Sequence, residues 1–276
     1  MTDLTRPVTV LCSIDGMRPD ALRLAHTPCI DALVAGGAST FTARTVMPSC
    51  TLPCHTSMLR GVDSEFHGIV DNVFHPLVKP IPSLIDVAFD QGKKTGFFYN
   101  WEQLRDLAAP GKLSISSMYG DAYSALGDTR VADAAIAALD LVDLDFLFVY
   151  FGWTDECAHV HGWMSDPYLE AIAHADTCLK RVLDALSARV GRANITSLVT
   201  SDHGGHERTH GSDCDEDMLV PWILNGPGIR QGHEIQSPVR IFDTCVTLAS
   251  VMGLAPSRFW EGKVVEDAFE PAKPAV

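Results

Sequence analysis

Short, continuous apolar runs alternate along this chain with longer stretches of helical periodicity, a pattern that predicts an α/β fold on buried strands. "VTVLCSI" at 8–14 is a β-branched run ending at Asp15-Gly16, the mark of a strand covered on both faces. "KTGFFYN", "DFLFVYF" and "NITSLVT" read the same way. "TPCIDALVAGG" predicts a helix opened by Thr27, with Pro28 in its first position and Gly36-Gly37 as its stop. Further helices are expected through "TRVADAAIAALDLV" and "SDPYLEAIAHADTCLKRVLDALSARVG", the latter opened by Ser165 and closed by Gly191. No repeat, low-complexity tract or linker interrupts the pattern. Residues 1–276 are therefore expected to form one domain, with no large cap insertion.

Polar clusters fall where the apolar runs end. Asp15 closes the first, Asp155 follows "DFLFVYFGWT", and Asp202-His203 follows "NITSLVTS". In open α/β sheets the carboxyl ends of the strands line the binding crevice, so groups distant in sequence are expected to converge there.

Composition narrows the function classes. A hydrophobic fraction of 46% and a charged fraction of 20% describe a globular chain. No apolar run reaches the ~18 residues of a membrane span, and "MTDLTRPVTV" lacks the apolar core of a signal peptide. The net charge of -14 argues against a nucleic-acid polymer as partner but not against a small anion, because a bound cation reverses the local sign. Eight scattered cysteines without a CxxC pair, behind a leaderless start, predict reduced thiols and a cytoplasmic protein.

The strand-end clusters carry candidate chemistry. Asp155 and His159 are four apart, so on a helical turn they share a face, and carboxylate with imidazole suits Zn²⁺ or a similar ion. "SDHGGHERTHG" places Asp202, His203, His206 and His210 in a loop whose Gly-Gly is expected to turn tightly. Asp15 alone reads as a turn aspartate and gains weight only by joining the other two. Asp15, Asp155, His159, Asp202, His203 and His210 would suffice for two divalent ions, with His206 competing with His210. Such a pair would clamp the attacking and leaving oxygens of a displacement at phosphorus, and it calls for a hydroxyl nucleophile. "MPSCTLPCHTSMLRG" at 47–61 offers Ser49, Cys50, Thr51, Cys54, His55, Thr56 and Ser57.

"SIDGMRPD", "MPSCTLPCHTSMLRGVDSEFHGIVDN", "DECAH" and "SDHGGHERTHG" together resemble, in order, the four metal and nucleophile blocks of the alkaline phosphatase superfamily. The branch they resemble is the type I phosphodiesterase/nucleotide pyrophosphatase group. "RFWEGKVVEDAF" is similar to the closing segment of many members. The resemblance implies an alkaline-phosphatase-like three-layer α/β/α sandwich with a mostly parallel central sheet. The family's Thr, apolar, Pro, Asn, His pattern falls on Thr51-Leu52-Pro53-Cys54-His55, which implies Thr51 as nucleophile at the start of a helix near Pro53. Backbone N–H groups there would also receive a phosphoryl oxygen. "HGIVDN" supplies Asn72 as donor to a phosphoryl oxygen. One ion, most simply Zn²⁺ with Mn²⁺ or Fe as alternatives, would be held by Asp15, Asp202 and His203 and would contact Thr51. The other would be held by Asp155, His159 and His210, the last chosen because His210-Gly211 matches the family's late His-Gly. Cys54, where the family usually has Asn, is expected to pack.

The activity implied is hydrolysis of a small phosphate ester, with a nucleotide among the candidates, through a phospho-threonine; oligomeric state is not legible. Monoester or phosphonate cleavage on the same scaffold is the alternative. The neutral Asn72 favours a singly charged diester, whereas a monoester calls for a further cation. More distant rivals are a Cys54-x5-Arg60 thiol phosphatase and a non-catalytic metal-binding protein. A sulfatase is disfavoured because Cys50 has Leu52 and Cys54 where Pro and Arg are needed. Phe74, Tyr99, Trp101, Trp153 and Trp163 are candidate base-stacking rings, each with core packing as the plainer reading.

Overall fold

Strand β1 (Val8–Ile14) is buried over its whole length because it lies between two parallel partners, β5 (Phe146–Phe151) and β6 (Ile195–Thr200). The structure, a computed structural model, describes residues 6–77 and 79–271. The remaining strands are β2 (Ala38–Arg44), β3 (Thr95–Tyr99), β4 (Ile115–Met118), β7 (Leu219–Asn225) and β8 (His233–Glu234). They form one sheet in the order β4-β3-β5-β1-β6-β7-β2-β8. Only β7 runs against its neighbours, pairing antiparallel with both β6 and β2.

Period-two alternation divides the strand side chains between two cores. Leu11, Phe146, Phe148 and Tyr150 point to the face covered by α3 (Thr51–Arg60), α5 (Leu84–Asp90) and α10 (Asp243–Val251). Val10, Cys12, Ile14, Leu147 and Val149 point to the face covered by α2 (Pro28–Ala35), α6 (Ala125–Ala138) and α8 (Asp166–Val190). The result is a three-layer α/β/α sandwich. Short helices α1 (Pro19–Leu22), α4 (Ser64–His67) and α9 (Asp215–Met218) and the nine-residue α7 (Trp153–His161) gather around the carboxyl ends of the strands.

The four apolar runs and the two helix signatures at Thr27 and Ser165 correspond to β1, β3, β5, β6, α2 and α8. The helix expected over 129–142 starts earlier, at Ala125, and ends at Ala138. Strand β7 is not predicted by the pattern, because Pro221 sits inside its run. The proline is accommodated where β2 shifts register between Thr40 and Ala43, opposite the position that lacks an N–H.

Register positions the site. Ile14 pairs with Phe151 and Ser13 with Thr200, so β5, β1 and β6 end level. The residues that follow them leave the sheet along one edge.

Candidate active site

Three short segments beyond that edge bring three carboxylates together. Asp15 follows β1 in a turn where Gly16 has φ +64°. A Cβ on Gly16 would lie 2.9 Å from Asp155 Oδ1, so both the turn and the close approach require glycine. Trp163 Nε1–H and the Tyr168 hydroxyl both donate to Gly16 O, at 3.0 and 2.8 Å, and hold the turn in place. Gly16 N–H donates to Asp202 Oδ1 at 3.2 Å.

Asp155 and His159 lie one turn apart on α7, as their spacing predicts, with His159 Nε2 3.2 Å from Asp155 Oδ2. That helix has Gly152 at its cap position and no side-chain cap of its own. Asp128 of α6 supplies one instead. Its Oδ1 accepts from Gly152 N–H at 3.1 Å, Trp153 N–H at 3.3 Å and Asn100 Nδ2–H at 2.8 Å.

The loop after β6 brings His203 Nε2 to 3.4 Å from Asp15 Oδ1 and 3.3 Å from Asp202 Oδ2. His210 Nε2 lies 3.8 Å from Asp155 Oδ1. The donor atoms of Asp15, Asp202 and His203 fall within 4.8 Å of one another, and so do those of Asp155, His203 and His210. His203 therefore stands between the two groups, and His159 faces the second oxygen of Asp155. His206 does not join them; it turns to Asp217.

All three histidines have the same tautomer imposed on them. Nδ1–H donates to a backbone carbonyl in each: Arg208 O for His159, Gly204 O for His203 and Ser49 O for His210, at 2.8 to 2.9 Å. The Nε2 lone pairs of His203 and His210 are thereby aimed at the carboxylates, and His159 turns its Nε2 to Asp155 Oδ2. Asp15 Oδ1, Asp155 Oδ1 and Asp202 Oδ2 are buried without a hydrogen-bond donor. Two carboxylate charges within 4.8 Å repel by roughly 3 kcal/mol at an effective dielectric of about 20. Converging lone pairs and orphaned carboxylate oxygens are the arrangement that divalent cations fit.

Burial, then the charges of Asp202 and Asp155, push Asp15 well above the usual carboxylate range, while the Tyr150 hydroxyl donates to its Oδ2 and opposes this. Burial also raises Asp202. Burial acts to raise Asp155 too, but its hydrogen bond with His159 and the charges of His203 and His210 hold it down. The same hydrogen bond lifts His159 to about 9, whereas burial and the neighbouring His203 lower His210 to about 4.

Thr51 opens α3 beside this cluster, its Oγ1 3.2 Å from His203 Nε2. His55, one turn on, is fully buried and braces the Thr51 turn. Its Nδ1–H donates to Thr51 O at 2.8 Å, and Ser13 Oγ–H donates to its Nε2, also at 2.8 Å. Asn72 approaches from the loop after α4, where its Oδ1 accepts from Leu52 N–H at 2.9 Å. Because a backbone N–H can only donate, this contact fixes which end of the amide is Oδ1.

Several expectations change. The first turn of α3 offers fewer backbone donors than foreseen, since Leu52 N–H is taken by Asn72 and Pro53 has none. Gly204 and Gly205 serve close packing rather than an unusual turn: a Cβ would meet Glu216 O at 2.0 Å or Trp163 Cε2 at 2.2 Å. Tyr99 stacks on Phe97 in the core and Trp163 packs edge-on against His159, so neither is open to a base. Phe74 is half exposed and lines a cavity of about 280 Å³ with Ile69, Leu77 and, from α3, Leu52, Thr56 and Arg60. Sequence reasoning passed over Asp128, Asn100 and Tyr150, none of which belongs to a motif.

Cys54 is buried, with Sγ 3.8 Å from both Val46 O and Pro48 O, and burial drives its thiol far from ionisation. Arg60 donates to the carbonyls of Ile81 and Leu107 and lies 3.7 Å from Asp86. The two ends of the Cys-x5-Arg pattern therefore do not face a common ligand, which removes the thiol phosphatase.

The sequence model described as type I phosphodiesterase/nucleotide pyrophosphatase matches residues 9–218, most of the chain. The chain belongs to the type I phosphodiesterase/nucleotide pyrophosphatase family. Human ectonucleotide pyrophosphatase/phosphodiesterase family member 1 is 27% identical over 228 residues, 72% of this chain and 23% of that protein. The chain thus spans about a quarter of the length of this relative. Phosphopentomutase of Herpetosiphon aurantiacus is 26% identical over 180 residues, covering 65% of this chain and 42% of that one. Among solved structures, murine ectonucleotide pyrophosphatase/phosphodiesterase 5 in complex with AMP superposes with a TM-score of 0.78 at 16% identity. The match covers 96% of this chain and all of that one. A phosphonate monoester hydrolase from Silicibacter pomeroyi gives 0.74 at 17% identity, over 94% and 76% of the two chains. The fold of this phosphodiesterase-family chain is therefore alkaline-phosphatase-like, and the matched region holds Asp15, Thr51, Asn72, Asp155, His159, Asp202, His203 and His210.

Proposed function

We propose that this protein is a metal-dependent phosphoric ester hydrolase, most simply a phosphodiesterase, working through a phospho-threonine at Thr51. The observation that carries this reading is the Thr51 hydroxyl beside His203 at the meeting point of Asp15, Asp155 and Asp202, three of whose oxygens lack a donor. Asp15, Asp202 and His203 would hold one ion, and Asp155, His159 and His210 the other, with Zn²⁺ as the first choice and Mn²⁺ or Fe as alternatives. Bound there, such ions supply the positive charge that lowers the hydroxyl pKa and stabilises attacking and leaving oxygens.

The chain's own groups do the rest. Thr51 Oγ1 attacks phosphorus and the bond to the departing alcohol breaks; water then hydrolyses the phospho-threonine. Leu52 N–H holds Asn72 Oδ1, so Nδ2–H is turned to a phosphoryl oxygen. His55 and Ser13 keep the Thr51 turn from shifting.

A diester is favoured over a monoester because Arg60, at the far end of the helix that Thr51 opens, is committed to Ile81 O, Leu107 O and Asp86. The neutral Asn72 then suits a singly charged phosphoryl group. The organic part of the substrate would lie in the cavity lined by Leu52, Ile69 and Phe74, which suits the flat apolar face of a nucleoside. Monoester and phosphonate hydrolysis are the alternative activities on this scaffold.

The decisive experiment assays the purified protein against aryl monoesters, aryl diesters, phosphonates and nucleotides with Zn²⁺, Mn²⁺ or EDTA. Diester turnover that EDTA abolishes and a divalent ion restores is the expected result. Turnover indifferent to EDTA would overturn the reading.

A further inference from the structure

The loop from Asp202 to Met218 carries more ligand-type side chains than the Thr51 cluster uses. His206 Nδ1 lies 2.7 Å from Asp217 Oδ1 and 3.7 Å from Cys214 Sγ. These nitrogen, oxygen and sulfur atoms fall within 4.8 Å of one another. Their meeting is built into the backbone. Gly204 N–H donates to Asp217 O and Gly205 N–H to Glu216 O, both at 2.8 Å, which pins the two ends of the loop together. Asp217 is fully buried, and its Oδ2 accepts from Ser212 N–H at 2.9 Å and lies 2.8 Å from Ser212 Oγ, which leaves Oδ1 aimed at His206. Cys214 stands at the cap position of α9, half buried. His206 is 37% exposed, so solvent reaches the open side.

We infer that His206, Cys214 and Asp217 form a third cation site, separate from the Thr51 cluster, which takes a thiophilic divalent ion of the Zn²⁺ class. A thiolate in the donor set selects such an ion over Mg²⁺ or Ca²⁺, and three protein ligands with an open side leave room for water. On binding, the Cys214 thiol and His206 Nδ1–H each give a proton to solvent, and the imidazole coordinates through Nδ1 with its remaining hydrogen on Nε2. The ion replaces the His206–Asp217 hydrogen bond and clasps the loop that carries both His203 and His210. Its role is to hold that loop; it takes no part in the reaction.

Co²⁺ titration of the chelator-stripped full-length protein tests this. The donors around Thr51 are nitrogen and oxygen, so a thiolate-to-cobalt charge-transfer band in the near ultraviolet reports the third site alone. The band is expected in the wild type and in Thr51→Ala. It should persist in Cys50→Ser, whose thiol borders the loop near Gly211, and vanish in Cys214→Ser. Absence of the band from the wild type, or its survival in Cys214→Ser, overturns the inference. Zn²⁺ content provides a second readout: His206→Gln should bind one equivalent less than the wild type, and equal content overturns the site. If the cluster around Thr51 failed to bind ions while this site held, the wild type would keep the band with a single equivalent, so the two failures are distinguishable.

Discussion

His203 and His210 stack ring on ring, their centroids 3.8 Å apart and their planes 17° apart. Burial opposes a positive charge on either ring, and on His210 the facing His203 adds to it, so both imidazoles are held below their usual range. His210 is brought down to about 4. His159 goes the opposite way, to about 9, because it hydrogen-bonds to Asp155. At pH 7 His159 therefore holds a proton that an incoming cation must displace, and His210 does not. Zn²⁺ affinity should rise about tenfold per pH unit up to pH 9 and level off there. Calorimetry in buffers of different ionisation enthalpy should find one proton released per ion at the Asp155 site, and none in His159→Asn. Affinity that is flat across this range would refute the assignment.

Thr51→Ala should lower turnover by roughly 10³-fold or more while bound metal is retained. Asn72→Ala should cost about 10² to 10³ in kcat through the lost donor. Metal analysis alongside steady-state rates checks both, and near-wild-type rates in Thr51→Ala would exclude the nucleophile.

Asp128 never touches substrate in this scheme, yet it caps the helix that carries Asp155 and His159. Asp128→Ala should destabilise the protein by about 1–3 kcal/mol, since Trp153 N–H loses its acceptor and Gly152 N–H and Asn100 Nδ2–H each lose one of two, and should weaken metal binding together with stability. Burial lifts Asp128 from 3.8 to about 7, so the native state binds this proton more tightly than the unfolded chain does. Its contribution to stability is therefore present below about pH 4 and is lost as pH rises through 7. Asp128→Asn keeps an acceptor and removes the titration, so denaturation midpoints measured from pH 4 to 8 should flatten in that variant.

Cys54 predicts an absence of effect. Cys54→Ala should keep kcat within about threefold, with a stability loss of about 1 kcal/mol for the emptied volume. Iodoacetamide at neutral pH should leave Cys54 unlabelled in peptide mass analysis. Activity lost in step with Cys54 labelling would contradict its burial.

Much of the framework is legible in the sequence because its strands are covered on both faces. β1, β3, β5 and β6 are continuous apolar runs, and continuous runs need no partner to be recognised. Strand β7 escapes because Pro221 breaks the rule for a central strand, and only the irregularity in β2 makes it tolerable. The convergence of Asp15, Asp155 and Asp202 can be anticipated, since each stands just past a buried run. What one-dimensional reading cannot supply is contact through backbone carbonyls. The groups that set the histidine tautomers, Ser49 O, Gly204 O and Arg208 O, carry no side-chain signature. The preference for His210 over His206 rests on the resemblance at His210-Gly211; residue spacing alone does not reveal the loop closure that brings Asp217 to His206 and leaves His210 beside Asp155.

The level ending of β5, β1 and β6 also dictates an order of assembly. β1 lies between a strand that begins at Phe146 and one that ends at Thr200, so its second flank does not exist until most of the chain has been made. A chain still emerging from the ribosome carries Asp15, Thr51 and, later, Asp155, but not His203 or His210. The candidate ligand set is thus completed late, when β6 docks and sets Asp202 beside Asp15. The sequence distances that such pairing must close predict slow folding dominated by long-range contacts, with the carboxylate and histidine cluster assembled at its end.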